Sequence, residues 1–159
     1  MILVTLGTQN QPFTRLLELI EKSDIKDEII VQAGNTKFKS PKMKIFDYIP
    51  YEEMTELIKK ADLIITHGGT GSILMPLKMG KKVIAVPRLA KYGEHVDDHQ
   101  TQLTSIFEEE GYILEYKDGE DFNELYLKSK KFKPNKYVSN TENFINEIKN
   151  LIDQNEKMK

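Results

Sequence analysis

The sequence has no cysteine and no tryptophan among its 159 residues. Without cysteine the chain has no disulfide bonds, no thiolate nucleophile and no thiolate ligand for a metal, which is compatible with a reducing compartment. The apolar runs are short, far below the roughly 20 residues that cross a bilayer. The first residues lead directly into polar ones, so no secretion signal is expected and the predicted location is cytoplasmic.

Neither sign of charge dominates the chain. Lys and Arg number 23 against 25 Asp and Glu, which gives a formal net charge of -2. A chain of this balance has no overall field that attracts nucleic acid, so no nucleic-acid partner is predicted. Two lysine-rich stretches, 37–44 and 128–136, are expected to be solvated loops, with contact to a membrane surface or an acidic partner as the alternative.

Short apolar, β-branched runs alternate with segments of helical spacing. Phe13, Leu16, Leu17 and Ile20, for example, recur on one helix face after the first run. This alternation predicts an α/β fold with a Rossmann-like, doubly wound and mostly parallel sheet in a single domain, 1–159. The predicted strands are 2–6, 28–34, 44–50, 62–66, 83–87 and 112–116.

The end of the chain carries an apolar stripe that predicts a C-terminal helix at about 139–156. This helix is expected to pack on its own sheet or to reach a second subunit. The stripe consists of Phe144, Ile145, Ile148, Leu151 and Ile152.

A glycine-rich turn, THGGTGS at 66–72, follows the fourth predicted strand. Right-handed crossovers bring the carboxyl ends of parallel strands to one edge of a sheet, where open α/β folds bind ligands. A helix that starts in such a turn offers unpaired N–H groups and a partial positive charge to a phosphate. The residues predicted to bind it are Gly68, Gly69, Thr70, Gly71 and Ser72, with a weaker turn, Gly7 and Thr8, at the same edge. The alternative is a tight strand-to-helix turn whose glycines serve packing only.

The turn is not one of the common nucleotide signatures. GxGxxG is absent after the first strand, as is the Walker pattern, so NAD binding and ATP hydrolysis are not expected. Ser72 has no G-x-S-x-G elbow, which disfavours a nucleophilic triad. His67 has three possible roles: a general base, a phosphate donor or a structural histidine.

A second polar cluster lies at 87–100, PRLAKYGEHVDDHQ. Its side chains are suited to hydrogen-bond a sugar or a ribose. His95 and His99 stand four residues apart and would share a helix face, but no third ligand is spaced to match, so neither a metal nor a cofactor is predicted. The candidate binding residues of this cluster are Arg88, Glu94, His95, Asp98, His99 and Gln100.

HGGTGS and the later EHVDDHQ together resemble the donor-binding, C-terminal half of GT-B glycosyltransferases of family 28. The resemblance runs from the start of the chain to about Tyr116. It is strongest to small stand-alone subunits of two-part transferases, and VPR followed by KYGEHVDDHQ is similar to the bacterial capsule and exopolysaccharide group.

The resemblance implies a single GT-B donor lobe. It places the diphosphate of a UDP-sugar on the glycine turn, with Gly7 and Thr8 opposite, and the sugar on His99 and Gln100. The two-domain relatives carry a glutamate that grips the ribose hydroxyls, and the matching position here is Met75.

The resemblance also implies a membrane-anchored, acceptor-binding partner subunit, which could hold this chain at the membrane. The pair would transfer galactose, N-acetylglucosamine or glucose to a lipid-linked acceptor in polysaccharide synthesis. The alternative is a non-catalytic enhancer or stabiliser of a partner glycosyltransferase. A self-sufficient enzyme such as an epimerase would require a second lobe.

Overall fold

In the computed structural model, which describes residues 1–137 together with residues 146 and 150, six parallel strands form one sheet. The strand order is β3-β2-β1-β4-β5-β6. The strands are β1 (Ile2–Thr5), β2 (Ile29–Gln32), β3 (Met43–Phe46), β4 (Leu63–His67), β5 (Val83–Val86) and β6 (Leu114–Glu115). The predicted α/β fold with a doubly wound parallel sheet is confirmed.

Side chains alternate along each strand, so the sheet has apolar side chains on both of its faces. Helices cover both faces. Ile2 and Val4 of β1 belong to one buried cluster, whereas Leu3 belongs to the other. Helices α1 (Thr14–Glu21) and α5 (Phe122–Ser129) pack on the first cluster. The second cluster is covered by α2 (Tyr51–Lys60), α3 (Thr70–Lys78) and α4 (His99–Glu109), and a short 3₁₀ helix, Ala90–Tyr92, precedes α4.

The strands β2 and β6 are shorter than predicted, and two elements differ more strongly. The third strand ends at Phe46 and not at residue 50. Pro50, which has no N–H to give to a strand ladder, stands at the N-cap of α2. Helix α5 was not predicted. Its sequence does carry signals for it, since the side chain of Asp121 accepts hydrogen bonds from the N–H groups of Asn123 and Glu124.

Other sequence predictions are not tested by the fold. The apolar stripe of the predicted C-terminal helix lies outside the described residues, so that helix and the single-domain boundary 1–159 stay predictions. Within residues 1–137, no helix is both long and apolar enough to cross a membrane.

Candidate functional site

The strand order reverses between β1 and β4, which lie side by side in the middle of the sheet. Thr5 and Thr66 are paired across these strands, and their hydroxyl oxygens are 2.7 Å apart. Each strand then ends in a glycine turn, Gly7 after β1 and Gly68 after β4. In open α/β sheets such a reversal point is where ligands bind, so the two predicted glycine turns meet at the expected crevice.

The imidazole of His67 fills the space between these turns. A β-carbon on Gly7 would stand 2.6 Å from its Nε2, and one on Gly69 would stand 2.3 Å from its Cε1. A β-carbon on Gly68 would stand 2.7 Å from Cβ of Gln100. At these three positions a β-carbon would overlap a neighbouring side chain, so close packing requires glycine there. Packing was the alternative to phosphate binding as an explanation of the glycine-rich turns, and it accounts for these three glycines.

Gly71 is different, because a β-carbon there would meet nothing within 4 Å. The residue is exposed and is the second residue of α3, whose N-cap, Gly69, makes no side-chain cap hydrogen bond. The first N–H groups of a helix have no partner inside it and carry about half a positive charge. The bare backbone at Gly71 is thus open to an anion.

A cavity of about 290 Å³ adjoins this helix start. It is lined by Gly71, Ser72 and Met75 of α3, by Met54 and Ile58 of α2, and by strand residues that include Thr5 and Gln32. Met75 therefore lies beside the glycine turn, where the resemblance places it, and it presents a thioether where the relatives have a carboxylate.

Both ring nitrogens of His67 are already hydrogen-bonded. Nδ1 lies 3.2 Å from Nε2 of Gln100, and Nε2 lies 3.0 Å from Oγ of Ser72. Burial lowers the pKa of His67 to about 4, and the nearby Arg88 guanidinium adds to this effect. A ring whose pKa is this far below neutral, and whose two nitrogens are both hydrogen-bonded, has little affinity for a further proton and is a poor general base at neutral pH. Of the three roles left open by the sequence, the geometry favours the structural one.

The Gly7–Thr8 turn is held by a residue that the sequence did not single out. The Gln32 side chain accepts a hydrogen bond from the N–H of Gly7 at 3.2 Å and donates to its carbonyl at 3.0 Å. Gly7 has φ +78°, a conformation that favours glycine. Thr8 is exposed at the tip of this turn. The only signal for Gln32 in the sequence was its position near the end of the second predicted strand. The structure adds that this strand, β2, pairs with β1.

Three candidate residues of the second cluster are buried, and Arg88 and Glu94 are the first two of them. The guanidinium of Arg88, which is 1% exposed, donates to the carbonyls of Leu6, Gln11 and Glu94 at 2.6, 2.7 and 2.9 Å. Burial lowers the pKa of Arg88 to about 10, opposed by the charge of Glu94. These bonds tie the segment after β1 to the loop after β5.

Glu94 is also buried, at 3% exposed, and forms a two-pronged ion pair with Arg15 of α1. Nε and Nη2 of Arg15 each lie 3.0 Å from a carboxylate oxygen of Glu94. The same carboxylate accepts a hydrogen bond from the N–H of Leu89 at 3.0 Å. Arg88 and Glu94 therefore shape the loop around the crevice, and direct contact of either with a ligand stays a prediction.

His95, Asp98 and His99 of the second cluster lie nearer the surface. Helix α4 begins at His99, so His95 precedes it and the two histidines do not share a helix face as predicted. Both instead contact Asp97, with Nδ1 of His95 3.1 Å and Nδ1 of His99 3.3 Å from its carboxylate. Asp98 is exposed and accepts a hydrogen bond from the N–H of Ala90. In the part of the chain that the structure describes, no three His, Cys, Asp or Glu side chains are grouped to hold a metal.

Gln100 is buried at the start of α4, and both its amide oxygen and its amide nitrogen form hydrogen bonds inside the site. Its Oε1 accepts from the N–H groups of Gly68 at 2.9 Å and Arg88 at 3.0 Å, while its Nε2 faces His67. One side chain, that of Gln100, thus joins the glycine-rich turn at 66–72 to the polar cluster at 87–100. A sugar contact of Gln100, which the resemblance implies, stays a prediction.

The fold and the crevice together define a Rossmann-like lobe in which helix α3 starts at the sheet reversal with an exposed glycine in its first turn. The model of the glycosyltransferase family 28 C-terminal domain matches residues 1–155, and the chain belongs to this family. The family resemblance of the sequence is confirmed.

Curated relatives carry related names but are longer. The chain is 28% identical over 138 residues to the UDP-N-acetylglucosamine transferase subunit ALG13 of Candida albicans. The matched region covers 84% of this chain and 41% of that protein. It is 34% identical over 141 residues to the UDP-N-acetylglucosamine–N-acetylmuramyl-(pentapeptide) pyrophosphoryl-undecaprenol N-acetylglucosamine transferase of Clostridium botulinum, with 88% of the chain and 35% of that protein covered. The chain therefore spans less than half the length of these relatives.

Solved structures show the same fold. The solution structure of ALG13 superposes with a TM-score of 0.61 at 20% identity, over 92% of this chain and 94% of that one. MurG of Acinetobacter baumannii superposes with a TM-score of 0.53 at 20% identity, over 79% of this chain and 40% of that one. The expected membership of the capsule and exopolysaccharide group receives no support from these relatives.

Proposed function

We propose that this chain is the donor-binding subunit of a two-part glycosyltransferase, an enzyme that transfers a hexose from a UDP-sugar to a lipid-linked acceptor. The observation that carries the proposal is the open glycine, Gly71, at the uncapped start of α3. It faces a cavity at the point where the strand order reverses. The names of the relatives support UDP-N-acetylglucosamine as the first donor to test, with UDP-galactose and UDP-glucose as alternatives.

In this proposal the N–H groups at the start of α3 bind the diphosphate. Negative charge develops on the UDP leaving group as the sugar bond breaks, and a fixed helix N-terminus stabilises that charge without a metal. Thr70, Gly71 and Ser72 supply the first turn of that helix. The Gly7–Thr8 turn closes the opposite side, and His95, Asp98 and His99 stand at the entrance to α4, where a sugar would lie.

The acceptor and the base that activates it belong to a second protein in this proposal. The name of the Candida albicans relative, a transferase subunit, supports a second protein in the transferase. His67, the buried histidine of the site, is a poor base because its pKa is about 4. We therefore assign both functions to a membrane-anchored partner subunit, which would also bring this chain to the membrane. A role in capsule or exopolysaccharide synthesis remains part of the hypothesis.

One observation favours a second candidate, a non-catalytic enhancer of a partner transferase. Met75 lines the cavity beside Gly71 and Ser72 and cannot accept hydrogen bonds from ribose hydroxyls as a carboxylate does. A lobe that had lost donor binding would tolerate an apolar side chain here.

Reconstitution with the co-purified partner separates the two candidates. Transfer of labelled sugar from UDP-N-acetylglucosamine, UDP-galactose or UDP-glucose to the lipid-linked acceptor is measured with the wild-type chain and with Gly71→Ala. Loss of transfer in Gly71→Ala, with the pair still assembled, supports the donor subunit. Full transfer by the variant pair would contradict the assignment of the diphosphate to this helix start, and transfer by the partner without this chain would favour the enhancer.

A further inference from the structure

The orientation of the Gln100 amide is fixed by its neighbours. An amide oxygen has two lone pairs, and here both receive backbone N–H groups, from Gly68 at 2.9 Å and from Arg88 at 3.0 Å. The oxygen cannot be exchanged with the nitrogen, because an NH₂ group facing two N–H donors would leave all of them without acceptors. Nε2 of Gln100 must therefore face Nδ1 of His67, 3.2 Å away.

This orientation decides which nitrogen of His67 carries the proton. Nδ1 receives a hydrogen bond from Gln100, so it must be the unprotonated acceptor. In a neutral imidazole the proton is then on Nε2, which faces Oγ of Ser72 at 3.0 Å. The ring is neutral because it is buried, with a pKa of about 4. His67 thus donates to the Ser72 hydroxyl.

A serine hydroxyl that accepts a bond from His67 still has its own proton to give. If His67 had the other tautomer, Nε2 would be an acceptor and would attract that proton into the protein. Ser72 is the third residue of α3 and lines the cavity beside the open glycine. A hydroxyl there that donates outward adds a hydrogen bond to the N–H groups of the helix start.

We propose that Gln100 is a positioning residue, which sets the tautomer of His67 and so commits the Ser72 hydroxyl to donate to an oxygen of the bound diphosphate. The inference rests on the proposed function for the identity of the anion. It gives Gln100 a role through His67, whereas the resemblance implies a direct sugar contact.

The tautomer is measured directly by ¹⁵N–¹H correlation of the His67 ring at pH 7, in the full chain without ligand. We expect an unprotonated Nδ1 and a protonated Nε2. Gln100→Glu keeps an oxygen for the N–H groups of Gly68 and Arg88 and replaces only the donor that faces His67 by an acceptor. In that variant Nδ1 of His67 is expected to gain a proton.

The consequence for binding is measured with UDP as the probe, by calorimetry at pH 7. Ser72→Ala is expected to weaken UDP binding by roughly tenfold or more, the usual effect of losing a hydrogen bond to a charged group. His67→Phe keeps a flat ring between the glycines but cannot donate to Ser72. It is expected to weaken binding by about threefold to tenfold in the wild-type background and to have no further effect on Ser72→Ala.

A protonated Nδ1 in the wild-type spectrum would overturn the inference, whatever the binding results. Equal losses from His67→Phe with and without Ser72→Ala would also overturn it, because His67 would then act independently of Ser72. If the wild-type chain did not bind UDP, the proposed function would fail, while the unliganded spectrum would still uphold or overturn the link between Gln100 and His67.

Discussion

The imidazole of His67 lies against Gly69 so closely that a β-carbon on residue 69 would stand 2.3 Å from its Cε1. Two residues further on, Gly71 has nothing within 4 Å of the same position. Two glycines of one motif therefore serve different purposes. The first makes room for a side chain of the protein, and the second leaves the helix start open.

The two glycines are expected to respond in opposite ways to alanine. Gly69→Ala forces the His67 ring to move and is expected to lower the free energy of unfolding by about 1–3 kcal/mol, the usual cost of overpacking. Gly71→Ala replaces an exposed helical glycine and is expected to leave stability unchanged or to raise it by up to about 1 kcal/mol. Urea unfolding of both variants measures this difference. Equal destabilisation by the two would contradict the separation of their roles.

The depressed pKa of His67 predicts a loss of stability in acid. Its pKa is about 4 in the folded chain against the ordinary 6.5. The unfolded chain therefore takes up this proton first, so the contribution of His67 is complete above pH 6.5 and is lost as the pH falls towards 4. Between pH 7 and pH 5 the loss is on the order of 2 kcal/mol.

The matched control for this pH dependence is His67→Gln, which does not titrate. The fall in unfolding free energy between pH 7 and pH 5 is expected to be smaller in the variant, because the carboxylates common to both chains remain. If wild type and variant lost the same amount, His67 would not have the lowered pKa.

The ion pair between Arg15 and Glu94 is expected to contribute strongly to stability. Arg15→Met keeps the apolar stem but leaves the buried carboxylate of Glu94 without its cation, which typically costs about 3–5 kcal/mol. Lys59→Met is the matched control, because it breaks an exposed pair with Glu56 on α2, where a loss below about 0.5 kcal/mol is expected. Similar unfolding free energies for the two variants would show that the buried pair is not stabilising the loop after β5.

Met75 offers a gain-of-function test of ribose recognition. Met75→Glu places a carboxylate in the cavity beside Gly71 and Ser72, where it can accept hydrogen bonds from the two ribose hydroxyls. UDP is expected to bind about tenfold more tightly to the variant, whereas the 2′,3′-dideoxy analogue is expected to gain nothing. Calorimetry with both ligands measures the difference. An equal change for both would show that the ribose does not lie at Met75.

The sequence predicted which residues meet at the sheet edge better than it predicted the direction of their side chains. Strand and helix periodicity placed Gly7, Gly68 and Gln100 at one sheet edge, and the strand order then brought them together. Arg88, Glu94 and Gln100 were predicted as ligand contacts; in the structure their polar groups bond backbone groups, Arg15 and His67, and contact with a ligand stays a prediction. Spacing along a chain does not reveal whether a polar group turns towards a cavity or towards unsatisfied backbone groups.

The missed features have identifiable local causes. Helix α5 is short, and its apolar residues, Phe122, Leu125 and Tyr126, lie next to a lysine-rich stretch that suggested a loop. Gln32 ends an ordinary buried strand and has no motif around it. Its function arises only because β2 pairs with β1 and brings it beside Gly7.

Calorimetric binding of UDP-N-acetylglucosamine, UDP-galactose and UDP-glucose to the wild-type chain and to Gly71→Ala tests the central claim most directly. The variant is expected to keep the fold, because a β-carbon at residue 71 meets nothing within 4 Å, and to alter only the open backbone at the start of α3. Binding of one UDP-sugar by the wild type, weakened at least about tenfold in Gly71→Ala, is the expected result. Equal binding by both proteins would contradict the assignment of the diphosphate to this helix start, and absence of binding by the wild type would contradict the donor-subunit function itself.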